Sequence, residues 1–212
     1  MKKILATGIV VAALVLTGGA SAFADTSIGA AGQTSTTRTE FNAACVTAIT
    51  AAQEKGTTDL STDVCRTTIT TASGPATTLS NSDLAAAKES LSANDFLALS
   101  RAVAAGTVHS KPYSQTISQI TDQETQSGTF YYDGDRAWVT VTYRGYSGTH
   151  SCKVDYAVGY NVSNTACSDS GSTSSRKLQM NWDVSVGIKG SPIAWSESYT
   201  MHVNSAGTIS NG

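Results

Sequence analysis

The chain predicts an α+β fold, a small N-terminal helical subdomain followed by an antiparallel β-sandwich or open barrel of about seven strands. Helical texture comes first: Phe41, Ala44, Cys45, Ala48, Ile49 and Ala52 recur at three- and four-residue steps and so share one helical face. The texture changes after Lys111-Pro112, and all eight tyrosines and all three tryptophans lie between Tyr113 and Tyr199. Aromatic side chains suit half-buried pleated surfaces. Three stretches in that half also alternate apolar and polar residues at the two-residue period of a strand with one wet face.

Residues 1–24 read as a signal peptide. Lys2 and Lys3 open it, Ile4 to Leu16 is an almost unbroken apolar run, and Ala22-Phe23-Ala24 places small residues before a cut at Asp25. The run falls short of the about 20 apolar residues needed to span a bilayer. Gly19 stands where a lipoprotein box would carry its cysteine. The mature chain is therefore expected to be secreted and extracellular, with no membrane attachment after signal cleavage.

Residues 25–37, rich in Gly, Ser, Thr and Ala without apolar periodicity, are expected to be a disordered leader. The helical subdomain is placed at 38–110. Its first helix stops at Gly56, and 59–71 stays undecided because the β-branched run Thr67 to Thr71 lowers helix propensity. Gly74-Pro75 breaks the chain, and a helix from near Asn81 carries Leu84, Ala87 and Leu91. Ser92, with Asp95 three residues on, caps a further helix bearing Phe96, Leu99 and Val103 and ending at Gly106.

The antiparallel β domain is placed at 111–212. Its clearest alternations are Cys152 to Val162, Leu178 to Ile188, and Trp195, Tyr199, Met201 and Val203, the last interrupted by Glu197 on the apolar side. Asp133-Gly134 between two β-prone runs marks a hairpin. Polar turns at Gly145 to Gly148, Ser168 to Ser175, Gly190 to Pro192 and Ser205 to Gly207 separate the other strands.

Fourteen Lys and Arg against 16 Asp and Glu leave a net charge of −2, which cleavage of Lys2 and Lys3 makes more negative. That balance excludes nucleic-acid binding, which clustered basic residues drive. The four cysteines, Cys45, Cys65, Cys152 and Cys167, are an even set in an exported chain and read as disulfides. Three connectivities are open, and the presence of two cysteines in each half favours Cys45–Cys65 and Cys152–Cys167. Zinc would want Cys-x-x-Cys spacing or histidine partners, so no metal and no cofactor is expected.

A search for catalytic groupings returns little. The histidines are His109, His150 and His202. Asp169-Ser170-Gly171 resembles the core of the trypsin-type motif but has Ser168 and Ser172 where that motif has glycines, and reads as a loop. Asp133-Gly134-Asp135 lacks the further oxygens of a calcium loop. Asp122 and Glu124, two residues apart, share a strand face and form a candidate carboxylate pair. Asn161-Val162-Ser163 matches the glycosylation sequon but lies in an expected strand. The remaining candidates are ligand-binding aromatics, Tyr131, Trp138, Tyr143, Tyr146 and Trp195, since exposed rings bind sugar faces and partner proteins.

The stretches SGTFYYDGDRAWVTVTYRGYSGTHSC, Ser127 to Cys152, and Gly171 to Arg176 resemble uncharacterised secreted proteins of actinobacteria over the C-terminal half of the chain. The resemblance implies export and transfers no catalytic residue. Together these readings lead to the expectation of a secreted, non-catalytic binding protein whose partner is an extracellular protein or a cell-wall glycan. The alternatives are a small secreted hydrolase using histidines or the Asp122/Glu124 pair, and an enzyme inhibitor presenting the Tyr143 to Thr149 loop.

Overall fold

The computed structural model of the protein describes residues 25–28, 32–89, 91–188 and 191–212, and the expected signal peptide, residues 1–24, lies outside them. Its elements are β1 (Asp25–Ile28), β2 (Thr34–Phe41), α1 (Ala43–Glu54), a 3-10 turn (Thr62–Cys65), β3 (Arg66–Ser73), β4 (Thr77–Thr78), α2 (Asn81–Ala87) and α3 (Ala93–Ala104). They continue with β5 (His109–Ser118), β6 (Asp122–Tyr132), β7 (Ala137–Trp138), β8 (Thr149–Ala157), β9 (Asn161–Gly171), β10 (Ser175–Ile188), β11 (Ser191–Asn204) and β12 (Ile209–Asn211).

Two antiparallel sheets form. The larger runs β1-β2-β3-β5-β6-β7, with β4 paired to β5 and β8 to β6; the smaller runs β12-β11-β10-β9. The two-sheet antiparallel architecture read from the sequence is present, with more strands than expected. Ile69 and Ile117 of the larger sheet pack against Met180, Trp182 and Val184 of the smaller, together with Cys45 and Ile49 of α1. Tyr113, Phe130 and Val139 meet Leu178, Met201 and Val203 further along the same interface.

Two boundaries need correction. The expected disordered leader, 25–37, supplies β1 and the start of β2, which pairs with β3 along its whole length. Threonine is a good strand former even without apolar alternation, and Thr37 and Thr39 hydrogen-bond across to Thr70 and Thr68. The 38–110 stretch is not a separate helical subdomain, because the undecided 59–71 segment becomes the 3-10 turn and β3, and β3 lies between β2 and β5. Phe41 likewise ends β2 and is exposed beneath the Arg66 guanidinium.

The helix limits follow their caps. Asn42 accepts from the Cys45 amide, Ser92 from the Asp95 amide, and Gly56 and Gly106 take positive φ just past the ends of α1 and α3. Leu84 of α2 and Leu99 and Val103 of α3 pack on Trp138. Trp138 pairs with Tyr131, which points away from Phe130, so these helices lie on the outer face of the larger sheet.

Candidate functional site

Both faces of the larger sheet are unusual, the outer for what it exposes and the inner for what it buries. Register across β2, β3, β5, β6 and β8 lines up Thr37, Thr70, Thr116, Thr125 and Lys153 in one row. The next row is Thr39, Thr68, Ser118, Gln123 and Tyr156, and on the other side lies Ser35, Ala72, Ser114, Ser127 and Ser151. Strands lie about 4.8 Å apart, and alternate residues of a strand about 6.8 Å, so these side chains form a near-rectangular grid. All but Ala72 carry a hydrogen-bonding group. Thr37 pairs with Thr70 and Thr116 with Thr125, each at 3.1 Å between hydroxyl oxygens. Charge enters at the β8 margin, where Lys153 pairs with Asp155 at 2.6 Å and the Thr125 hydroxyl donates to the same carboxylate, and at the start of β3, where Arg66 shares the outward register.

The inner face carries polar groups where a sandwich ordinarily keeps apolar ones. Asp122, Glu124 and Gln126 occupy successive inward positions of β6 and are fully buried, and Glu197 faces them from β11 at 2 % exposure. Glu197 is well satisfied: the Gln119 amide reaches its two oxygens at 2.7 and 2.8 Å, and Trp195 Nε1 donates at 2.7 Å. Asp122 accepts from the Thr121 hydroxyl, but its second oxygen and both oxygens of Glu124 find no donor among the described residues. Burial, then the neighbouring Asp122 and Glu197 charges, pushes Glu124 up to about 9. Burial raises Asp122 and lifts Glu197 to about 7. The candidate pair of Asp122 and Glu124 is thus brought together inside the molecule rather than in a cleft.

The aromatic candidates are distributed differently from the sequence expectation. Trp138 is 2 % and Trp195 7 % exposed, so neither offers a ring face to a ligand. Burying two large rings satisfies both interfaces at once. Trp138 donates Nε1 to the Tyr146 carbonyl and is enclosed by Tyr131 and Tyr143, with centroids at 5.8 and 5.0 Å. Tyr131 also stacks on Tyr146 at 5.4 Å. Arg136 and Arg144 stand 4.6 and 5.2 Å from the Tyr143 ring centre. The Tyr143 to Thr149 loop folds its tyrosines back onto this cluster.

The remaining candidates are structural. Asp169 accepts from the Thr140 amide and hydroxyl and pairs with Arg176 at 2.9 Å, so it clamps a loop and activates no neighbouring Ser170. His109 stacks on Tyr132. His150 Nδ1 lies 2.9 Å from the Tyr113 hydroxyl, which donates to the Thr149 carbonyl. The disulfides are Cys45–Cys65 and Cys152–Cys167, with Cα atoms 5.5 and 5.7 Å apart. His150, Cys152 and Cys167 bring ligand atoms within 4.8 Å of one another, but a disulfide sulfur is not the thiolate that zinc requires.

The buried glutamines Gln115, Gln119 and Gln126 were missed by sequence reasoning. The signal for Gln115 and Gln126 is phase, since they fall in the two-residue register of Tyr113, Ile117 and Phe130, while Gln119 lies in the turn just past β5. No helix among the described residues is long and apolar enough to cross a membrane. No family model matches the chain, and neither a curated protein nor a solved structure matches it.

Proposed function

We propose that this chain is a secreted, non-catalytic binding protein of the cell envelope or extracellular space, and that the outer face of its larger sheet recognises an uncharged glycan. The observation that carries the reading is the row Thr37, Thr70, Thr116 and Thr125, an array of hydroxyls that meets charge only at its β8 end, in Lys153 and Asp155. A neutral polysaccharide presents hydroxyls at regular intervals on a flat ribbon. Each exchanged hydrogen bond contributes only about 1 kcal/mol, so a repeated grid is what gives useful affinity. Rigid strands present that grid without an ordering cost on binding. Two disulfides are typical of extracellular proteins and agree with this compartment.

The test is co-sedimentation of the disulfide-bonded mature chain with insoluble neutral polysaccharides and with isolated cell walls, beside a Thr70→Val, Thr116→Val, Thr125→Val variant. Valine keeps the strand-forming shape and removes only the hydroxyl. The reading predicts binding by the parent and a loss of about tenfold or more in the variant, roughly 1.4 kcal/mol. Parent and variant binding equally, or neither binding, overturns it, and capture of one defined protein from culture supernatant instead supports a protein ligand.

A further inference from the structure

The buried acids do nothing for a ligand on the outer face, and burying them is costly. Asp122 and Glu124 belong to the larger sheet and Glu197 to the smaller, so their charges oppose one another across the interface that holds the molecule together. As carboxylates none of them can donate, so among the described residues the Glu124 oxygens find no donor. A proton on Glu124 removes that conflict by making Asp122 its acceptor.

We infer that Asp122, Glu124 and Glu197 form a proton-dependent clasp between the two sheets, closed while the Asp122–Glu124 pair holds its protons and opened by their loss. The position of the clasp favours a local response. It lies at the end of the sandwich where the β5–β6 turn meets the β8–β9 loop, joined by the Val158 amide donating to the Thr121 carbonyl at 2.7 Å. Ile120 and Val158 there are 69 % and 67 % exposed, while Ile117 beside Glu124 and Trp182 beside Glu197 are buried in the apolar interface, so the response is confined to the turn and loop that cover the acids.

Among the described residues the surroundings supply no compensating cation. Asp155 from β8 and Tyr160 from β9 add negative or neutral groups, Tyr199 and Trp195 flank Glu197 on β11, and Asn42 approaches from the start of α1. Lys153, on β8, is engaged with Asp155. Burial holds all three carboxyls above their ordinary values. The sign follows: an acid raised in the folded state stabilises fully below its unfolded value of about 4.3 and loses that contribution as pH rises through the folded value. The window therefore runs upward from about 4.3 to about 7 for Glu197 and to about 9 for Glu124.

The test is amide hydrogen exchange of the intact disulfide-bonded chain across that window, read as protection factors, beside an Asp122→Asn, Glu124→Gln variant. In the parent, protection at Gln119 to Asp122 and Val158 to Tyr160 should fall with pH by up to about tenfold per pH unit for each proton released, while strands at the opposite end hold theirs. The variant should lose the part of that fall above about pH 7, which belongs to the Asp122–Glu124 pair, and keep at most the part due to Glu197. Uniform protection across pH, or the same fall in the variant, overturns the clasp. Should the variant not fold, infrared spectra of the parent at neutral pH decide: a protonated buried carboxyl band supports it, and its absence contradicts it.

Discussion

The Tyr113 hydroxyl on β5 meets Nδ1 of His150 on β8 at 2.9 Å, across the top of β6, because the residue between them is Gly128. A Cβ at Gly128 would collide with the Thr149 carbonyl and stand 2.8 Å from the tyrosine hydroxyl. Gly128→Ala is therefore expected to cost about 1–3 kcal/mol, as other overpacking changes do. Denaturant midpoints measure it, and an unchanged midpoint contradicts the packing described.

The same histidine sets an acid-side dependence. Burial holds His150 below its ordinary value of about 6.5, so the unfolded chain takes up the proton first as pH falls. Its contribution is complete above about 6.5 and is lost as pH drops below it. His150→Gln should flatten the acid limb of the stability profile between about pH 7 and 5, read as the difference from the parent because the carboxyls act in the opposite sense. An identical limb in both proteins contradicts this.

Gln119 satisfies both Glu197 oxygens from the opposite sheet. Gln119→Ala removes the amide that reaches both oxygens of a buried carboxylate and is expected to cost about 1–3 kcal/mol. The loss should be smaller at pH 5 than at pH 8, since Glu197 titrates near about 7 and a protonated acid needs fewer donors. Urea titrations at the two pH values check it, and equal losses contradict it.

Cys152–Cys167 ties β8 of the larger sheet to β9 of the smaller. Replacing both cysteines with serine frees a loop of 15 residues, and chain-entropy arguments place the loss at about 3 kcal/mol. Thermal unfolding should show the parent above the variant without reductant and the two coinciding when both are reduced, since the variant still carries Cys45–Cys65.

What the sequence made legible tracks how apolar the inward positions are. Leu178, Met180, Trp182, Val184 and Val186 face the core on one long strand, and β10 was read from them directly. The Asp133-Gly134 turn and the Ser92 cap were equally plain, since local backbone chemistry writes them. β5 and β6 were obscure because their inward residues include Gln115, Asp122, Glu124 and Gln126, which carry no hydropathy contrast with the Thr and Ser facing out. β2 and β3 were hidden by threonine on both faces. The Cys152 to Val162 alternation, read as one strand, breaks around Gly159 at positive φ, where the chain leaves one sheet for the other. The aromatic candidates were misplaced for a related reason: periodicity shows which face a ring takes and says nothing of the helices that cover Trp138.

The most direct test of the recognition surface is residue-resolved: backbone amide chemical shifts of the labelled mature chain during titration with a soluble neutral oligosaccharide. Saturable shifts centred on Thr70, Thr116 and Thr125 and their row neighbours, with the amides around Trp138 and Tyr146 unmoved, are what the hydroxyl grid predicts. Shifts centred on the Tyr143 to Tyr146 turn, or no shift at any residue, would contradict it.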